Sequence, residues 1–301
     1  MNAIGKSSVV FVTLSGLFWG GWVLGSQTPE GQEALARAYE AYAEQQATAN
    51  EDLFNTTALR AVVCGGAERG EAQPCLAIMA AGRMFVVDAG SGAASALTDR
   101  NIPMNRLDAV LLTSAGLNQT ADLDELYGAA ARNRDDALLP VYGPADTQRM
   151  VDGLNQAAGF DGMARGLQAW GPSPEPGRSV IVFEADGLVV SAFTTQEDAF
   201  AGRVGYRFDY RGRSIVVGGD GRVETAAAAQ NADVVLQSSV GAEAREANSG
   251  LVVLTGARNE MAGRLQVAEA RAAGVTDVVA ARLGMLVELP LANSEINVRP
   301  L

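Results

Sequence analysis

Short apolar runs alternate with amphipathic stretches along this chain from about residue 58 onward, and the order is run through twice. In the first round, 59–63, 76–80 and 84–87 read as strands and 93–99 as a helix. The stretch 109–123, AVLLTSAGLNQTADL, reads as a buried strand running into a loop and a helix start. Helices over 122–131 and 147–157 flank a short strand over 139–144. In the second round, 180–184 and 188–193 are strands joined by Ala185-Asp186-Gly187, a strong hairpin signal. Strands over 205–210 and 214–218 are joined across Arg211-Gly212. Strands over 232–237, 251–255 and 277–281 follow, with helices over 225–230 and 260–273. Strands show period two or short apolar bursts, and helices a 3.6-residue period. This order predicts a four-layer αββα sandwich, two facing sheets with helices outside. Residues 159–178 hold Trp170 and three prolines without a clear period. They are expected as an irregular surface insertion.

The chain has 301 residues, 48% of them hydrophobic, enough for one large core or two modest ones. Its formal net charge of −12 argues against nucleic acid or anionic lipid as a partner, since phosphate binding needs clustered Lys and Arg. There is no histidine. Imidazole is the base of Ser-His-Asp and Cys-His catalysis, so both are excluded. Every His-ligated zinc or iron site is excluded too. The one lysine, Lys6, precedes an apolar N-terminal segment. A Schiff-base or phosphate-cradling lysine in the globular part is therefore ruled out. A chain without histidine either never needed imidazole or lost a metal site that an ancestor had.

The stretch 109–123 resembles the metal-binding signature of the metallo-β-lactamase superfamily. That signature is an apolar strand, then T-H-x-H-x-D-H, then a small residue and D-L. Thr113, Ala121, Asp122 and Leu123 match it. Ser114, Gly116 and Gln119 stand at the three histidine positions, and Asn118 stands at the aspartate. The step 86–90, VVDAG, resembles the second signature, whose aspartate supports the metal loop from behind. Here Asp88 is expected to cap a helix beginning near Ser91. The run 141–157 is similar to the same region of ribonuclease Z-like and arylsulfatase-like members. The resemblance covers about 59–283 and implies the αββα fold. It maps the remaining ligand positions onto Glu197, Asp220 and Arg282, with Gly256 near a further family histidine.

A zinc site needs several convergent ligands. Of the implied positions only Asp220 keeps the family's residue, so the resemblance implies a pseudoenzyme with no metal, no cofactor and no catalytic residue. Asn118, Gln119, Glu197 and Asp220 are all oxygen donors, the kind a calcium or magnesium site uses. Arg282 among them would repel such an ion. An ion pair of Arg282 with Asp220 or Glu197 is expected in place of the metal, and its loss is expected to destabilise the fold.

Residues 7–29 carry no charge and are about long enough to cross a bilayer as a helix. Lys6 before them and acidic residues after them favour a cytoplasmic N-terminus and a periplasmic or other extracytoplasmic domain. Gly16 and Gly20 form one small-residue pair and Gly21 and Gly25 a second, each spaced to let another membrane helix approach. A cleaved signal peptide is the competing reading. Thr28-Pro29-Glu30 looks like a helix start, and the following helix carries Leu35, Tyr39 and Tyr42 on one face. The expected organisation is an anchor over 1–27, a helical connector over 28–57 and the sandwich over 58–301. Cys64 and Cys75 form no C-x-x-C and have no third soft ligand for zinc. A disulfide, if the domain lies outside the cytoplasm, and a pair of unlinked buried thiols both remain open.

The expected function is a membrane-anchored accessory or scaffold subunit of a membrane protein complex. The complex is met through the N-terminal helix and the face of Leu35, Tyr39 and Tyr42, and a homodimer is compatible with the same surfaces. The alternatives are a metal-free binder of a small polar ligand in the old cleft, and a hydrolase using Glu197 and Asp220 as acid and base.

Overall fold

The computed structural model describes residues 52–65, 67–68, 71–132, 137–160, 164–195, 202–219, 227–239 and 248–301, with positions 29, 32, 33 and 37. The anchor expected over 1–27 lies outside the described residues, and with it the helix-packing glycines Gly16, Gly20, Gly21 and Gly25. So do Leu35, Tyr39 and Tyr42, the expected docking face of the connector. Pro29, Gln32, Glu33 and Arg37 are helical. No helix among the described residues is long and apolar enough to cross a membrane. The chain divides into Met1–Glu51 and Asp52–Leu301. The second unit starts six residues ahead of the expected boundary, at Asp52. Leu53 and Phe54 are buried in its core.

The strands are β1 Ala58–Val63, β2 Ala67–Glu68, β3 Glu71–Ala72, β4 Leu76–Ala80, β5 Arg83–Val87, β6 Leu107–Leu111, β7 Ala137–Tyr142, β8 Arg165–Trp170 and β9 Ser179–Ala185. They continue with β10 Leu188–Thr194, β11 Val204–Tyr210, β12 Arg213–Gly219, β13 Val234–Gln237, β14 Leu251–Leu254, β15 Val278–Ala280, β16 Met285–Pro290 and β17 Asn297–Pro300. The helices are α1 Ala93–Thr98, α2 Leu117–Thr120, α3 Leu123–Ala131, α4 Thr147–Ala157 and α5 Glu260–Ala272.

The first sheet has eight strands in the order β17-β16-β1-β4-β5-β6-β7-β8, and the second has seven in the order β15-β14-β13-β12-β11-β10-β9. Side chains alternate across each strand, so one strand serves two cores. On β1, Leu59, Ala61 and Val63 meet Val190, Tyr206, Phe208 and Ile215 of the second sheet. Val62 points the other way, into the layer with Leu97 of α1 and Leu123 and Leu126 of α3. Phe85 bridges the sheets, with ring centroids 5.0 Å from Phe183 and 6.0 Å from Phe208. Ala229 of a short 3-10 turn and Ala270 of α5 cover the outer face of the second sheet. Strands β13 and β14 are parallel and buried at every position, which is why they read as unbroken apolar runs. The four layers are therefore the expected sandwich. The hairpin at 185–187 forms as predicted, with φ of 56° at Asp186 and 82° at Gly187.

Two stretches differ from expectation. Residues 165–170, expected as an irregular insertion, form β8, which pairs in parallel with β7 at the sheet edge. An edge strand with only Gly166 and Leu167 buried shows no alternation to find. The strand at 278–280 is not the last. β16 returns to pair antiparallel with β1, and β17 pairs with β16.

Candidate functional site

At the end of β5 the chain passes to Asp88, whose φ of 59° is left-handed. Aspartate tolerates that region better than most side chains. Thr113, just past β6, donates its N–H to Oδ1 and its hydroxyl to Oδ2 of Asp88, each at 2.8 Å. Asp88 is 2% exposed. It does not cap the following helix, which corrects the expectation. α1 starts at Ala93 with no side-chain cap from its Gly92. The cap comes from elsewhere: the Asp122 carboxylate accepts the Ala94 N–H at 2.6 Å. Asp122 also sends its own N–H to Ala89 O at 2.9 Å. Sequence reasoning matched Asp122 to the family pattern but gave it no task. Its position at the start of α3 predicts a cap for α3, and the tertiary packing turns it toward α1.

Gly219 ends β12 against Thr113. A Cβ there would lie 2.6 Å from Thr113 Cβ, and its φ of 56° is one that side chains rarely adopt. Below this contact lies Tyr206, fully buried on β11. Its hydroxyl faces Leu112 O at 3.0 Å and Tyr142 O at 3.2 Å. Burial, and then the nearby Asp88 charge, raise the Tyr206 phenol well above its ordinary 10.0.

The positions of the family's first three histidines are bonded within their own loop. Ser114 Oγ accepts the Gly116 N–H at 3.0 Å and donates to Gln119 Oε1 at 3.3 Å. Thr120 Oγ1 donates to Gly116 O at 3.0 Å. Gln119 is buried, and its carbonyl accepts the Ala89 N–H at 2.7 Å. A cavity of about 80 Å³ lies between Asp88, Asn118 and Gln119 on one side and Gly219, Ser238 and Thr255 on the other. Pro74 and Cys75 also line it. Cys75 is bonded to Cys64 as a disulfide with a Cα separation of 4.9 Å, which decides between the two readings of the thiols.

Glu197 and Asp220 lie outside the described residues. Arg282 does not sit in the cleft. Its side chain is 75% exposed and pairs with Glu260 of α5 at 3.6 Å. A side chain this exposed does not form the buried tie that was expected, and the partners expected for it, Asp220 and Glu197, lie outside the described residues. The strand before Arg282 is short and edge-placed, so the side chain turns outward to solvent.

Among the described residues the donor set does not fit zinc. Zinc sites are built from imidazole, thiolate and carboxylate. The chain has no histidine, its two cysteines are joined, and both Asp88 oxygens already accept bonds from Thr113. Among the described residues no group of three His, Cys, Asp or Glu converges. The cavity is lined by the Asn118 and Gln119 amides and the Ser238 and Thr255 hydroxyls, beside the Asp88 carboxylate and the apolar Leu76, Val87 and Val217.

An αββα sandwich with a loop-lined cleft at the strand ends is the metallo-β-lactamase fold. The metallo-β-lactamase-fold protein YhfI of Bacillus subtilis aligns with a TM-score of 0.62 at 18% identity, covering 77% of this chain and 99% of that one. Human short-form tRNase Z (ELAC1) gives 0.60 at 15% identity, with the same coverage of 77% and 99%. No family model matches the sequence. Ribonuclease Z of Mycobacterium marinum is 30% identical over 158 residues, 50% of this chain and 57% of that protein. The chain spans about half the length of the curated relatives it matches. The ribonuclease Z relatives and the shared fold support the metallo-β-lactamase superfamily for this chain.

Proposed function

We propose that this chain is a non-catalytic metallo-β-lactamase-fold protein, anchored in a membrane by its N-terminal segment. In this reading it serves as an accessory or scaffold subunit of a membrane protein complex, with the sandwich on the extracytoplasmic side. One observation carries the reading. The loop that would hold metal ligands is closed on itself through Ser114, Gly116 and Gln119. Hydroxyl and amide groups bonded to each other offer a transition metal no competitive ligand. The Cys64–Cys75 disulfide supports an oxidising compartment, in agreement with the uncharged segment 7–29. Within that segment, the spacing of Gly16 from Gly20 and of Gly21 from Gly25 supports close approach of a partner's membrane helix. The cavity of about 80 Å³ has room for two or three waters at about 30 Å³ each. Pockets for small ligands run to roughly 300–1,000 Å³.

The test is metal analysis of the purified full chain, with turnover assays on RNA, ester and phosphodiester substrates with and without chelator. No bound transition metal and no turnover are expected, along with recovery in a complex after mild detergent extraction. Chelator-sensitive RNA cleavage would overturn the reading. It would favour the second one, a hydrolase, which the ribonuclease Z relatives support. Chelator-insensitive hydrolysis would point instead to Glu197 and Asp220.

A further inference from the structure

Helix α5 turns its largest apolar side chains away from the protein. Met261 and Leu265, one turn apart, are 67% and 59% exposed. Ala268 and Ala272, also exposed, extend the same stripe along the outer face. The fully buried positions are the small Gly263 and Ala270. A Cβ at Gly263 would lie 2.9 Å from the Ala280 Cβ of β15. The helix is thus seated close on the sheet, and rolling it to bury Met261 and Leu265 would bring a larger side chain into that contact.

The flanks of the stripe differ in charge. At 100° per residue, Arg264 and Arg271 fall on one flank together with Glu260. Glu260 holds Arg264 at 2.8 Å and Arg282 at 3.6 Å. Three guanidiniums against one carboxylate make this flank positive on a chain of net charge −12. Glu269 lies on the opposite flank.

We infer that the outer face of α5 docks a helix of a partner protein. That helix has an apolar stripe facing Met261 and Leu265, and carboxylates along the edge that meets Arg264, Arg271 and Arg282. Opposed charge sets its orientation, and the apolar stripe supplies the contact. The inference does not rest on the cleft being inactive.

The probe is a synthetic helical peptide with leucines at helical spacing and glutamates along one edge, beside a sibling carrying lysines in their place. Labelled peptides are titrated by anisotropy onto the full chain in nanodiscs. Saturable binding of the glutamate peptide is expected. Its affinity should fall at least about tenfold in Met261→Asp/Leu265→Asp, which removes the apolar contact. The charge reversal Arg264→Glu/Arg282→Glu should weaken the glutamate peptide and strengthen the lysine peptide. All four positions are exposed, so circular dichroism should be unchanged. Four results would overturn the inference: no binding, equal binding of both peptides, self-association through this face, or binding of phosphatidylglycerol vesicles in place of peptide. The metal and turnover assays read the cleft and not this face, so the two readings fail separately.

Discussion

Asp88 holds a left-handed backbone while both of its carboxylate oxygens are taken by Thr113. Replacing it by alanine leaves the Thr113 N–H and hydroxyl buried without those partners. The expected loss is about 2–6 kcal/mol in urea unfolding, taking roughly 1–3 kcal/mol for each of the two abandoned donors. Asp88→Asn should lose less, because asparagine also accepts the left-handed region and keeps one acceptor oxygen. Equal stability of the wild type and Asp88→Ala would refute the role. Arg282 behaves in the opposite way. Its side chain is 75% exposed and its partner Glu260 is 63% exposed, so Arg282→Ala should leave the unfolding temperature within experimental scatter. The sequence showed both residues plainly. It could not show that one is locked under the loop and the other lies in solvent, because burial at strand ends depends on which neighbours arrive there.

At the scale of elements, α1 has only six residues and depends on a cap supplied by a different helix. Asp122→Ala should cost about 1 kcal/mol, the usual value of a lost helix cap, and should loosen α1 ahead of the rest. Amide exchange over 93–98 reads this directly, and unchanged protection there would count against it. The disulfide is a second local tie. It joins residues 11 apart, just past β1 and just before β4, and the neighbouring Pro74 carbonyl accepts the Gly90 N–H at 2.8 Å. Cys64→Ser/Cys75→Ser should cost about 3 kcal/mol by loop-closure arithmetic. The two cysteines were visible as a pair from the start. Only the antiparallel pairing of β1 with β4, which sets Val63 opposite Leu76, places their thiols side by side.

Across the whole molecule, Tyr206 latches the second sheet to the first through the Leu112 and Tyr142 carbonyls. Its phenol is raised well above 10.0, and burial raises Tyr142 as well. In the unfolded chain these phenols ionise near their ordinary value, while in the fold they stay protonated. Above about pH 10 the unfolded state therefore binds fewer protons, and stability falls as pH rises further. Tyr206→Phe should flatten that alkaline decline, at a cost of about 1 kcal/mol at neutral pH for the lost hydrogen bond. An unchanged alkaline slope would show that the latch titrates like a surface tyrosine. Arg83 supplies a second bridge between the sheets, with Asp108 at 3.0 Å and Asp186 at 3.3 Å.

The order of elements, the two facing sheets and the absence of imidazole were legible from the residues alone. Apolar periodicity reports burial, and burial is encoded locally, strand by strand and helix by helix. Edge strands such as β8 escaped because half-exposed segments lose that period. Which carboxylate grips Thr113, which one caps α1, and where Arg282 points were decided only by the tertiary structure. Asp88 meets Thr113 because β5 and β6 end side by side in the first sheet, and Arg282 meets Glu260 where β15 ends near α5; strand order and helix packing are properties of the assembled fold.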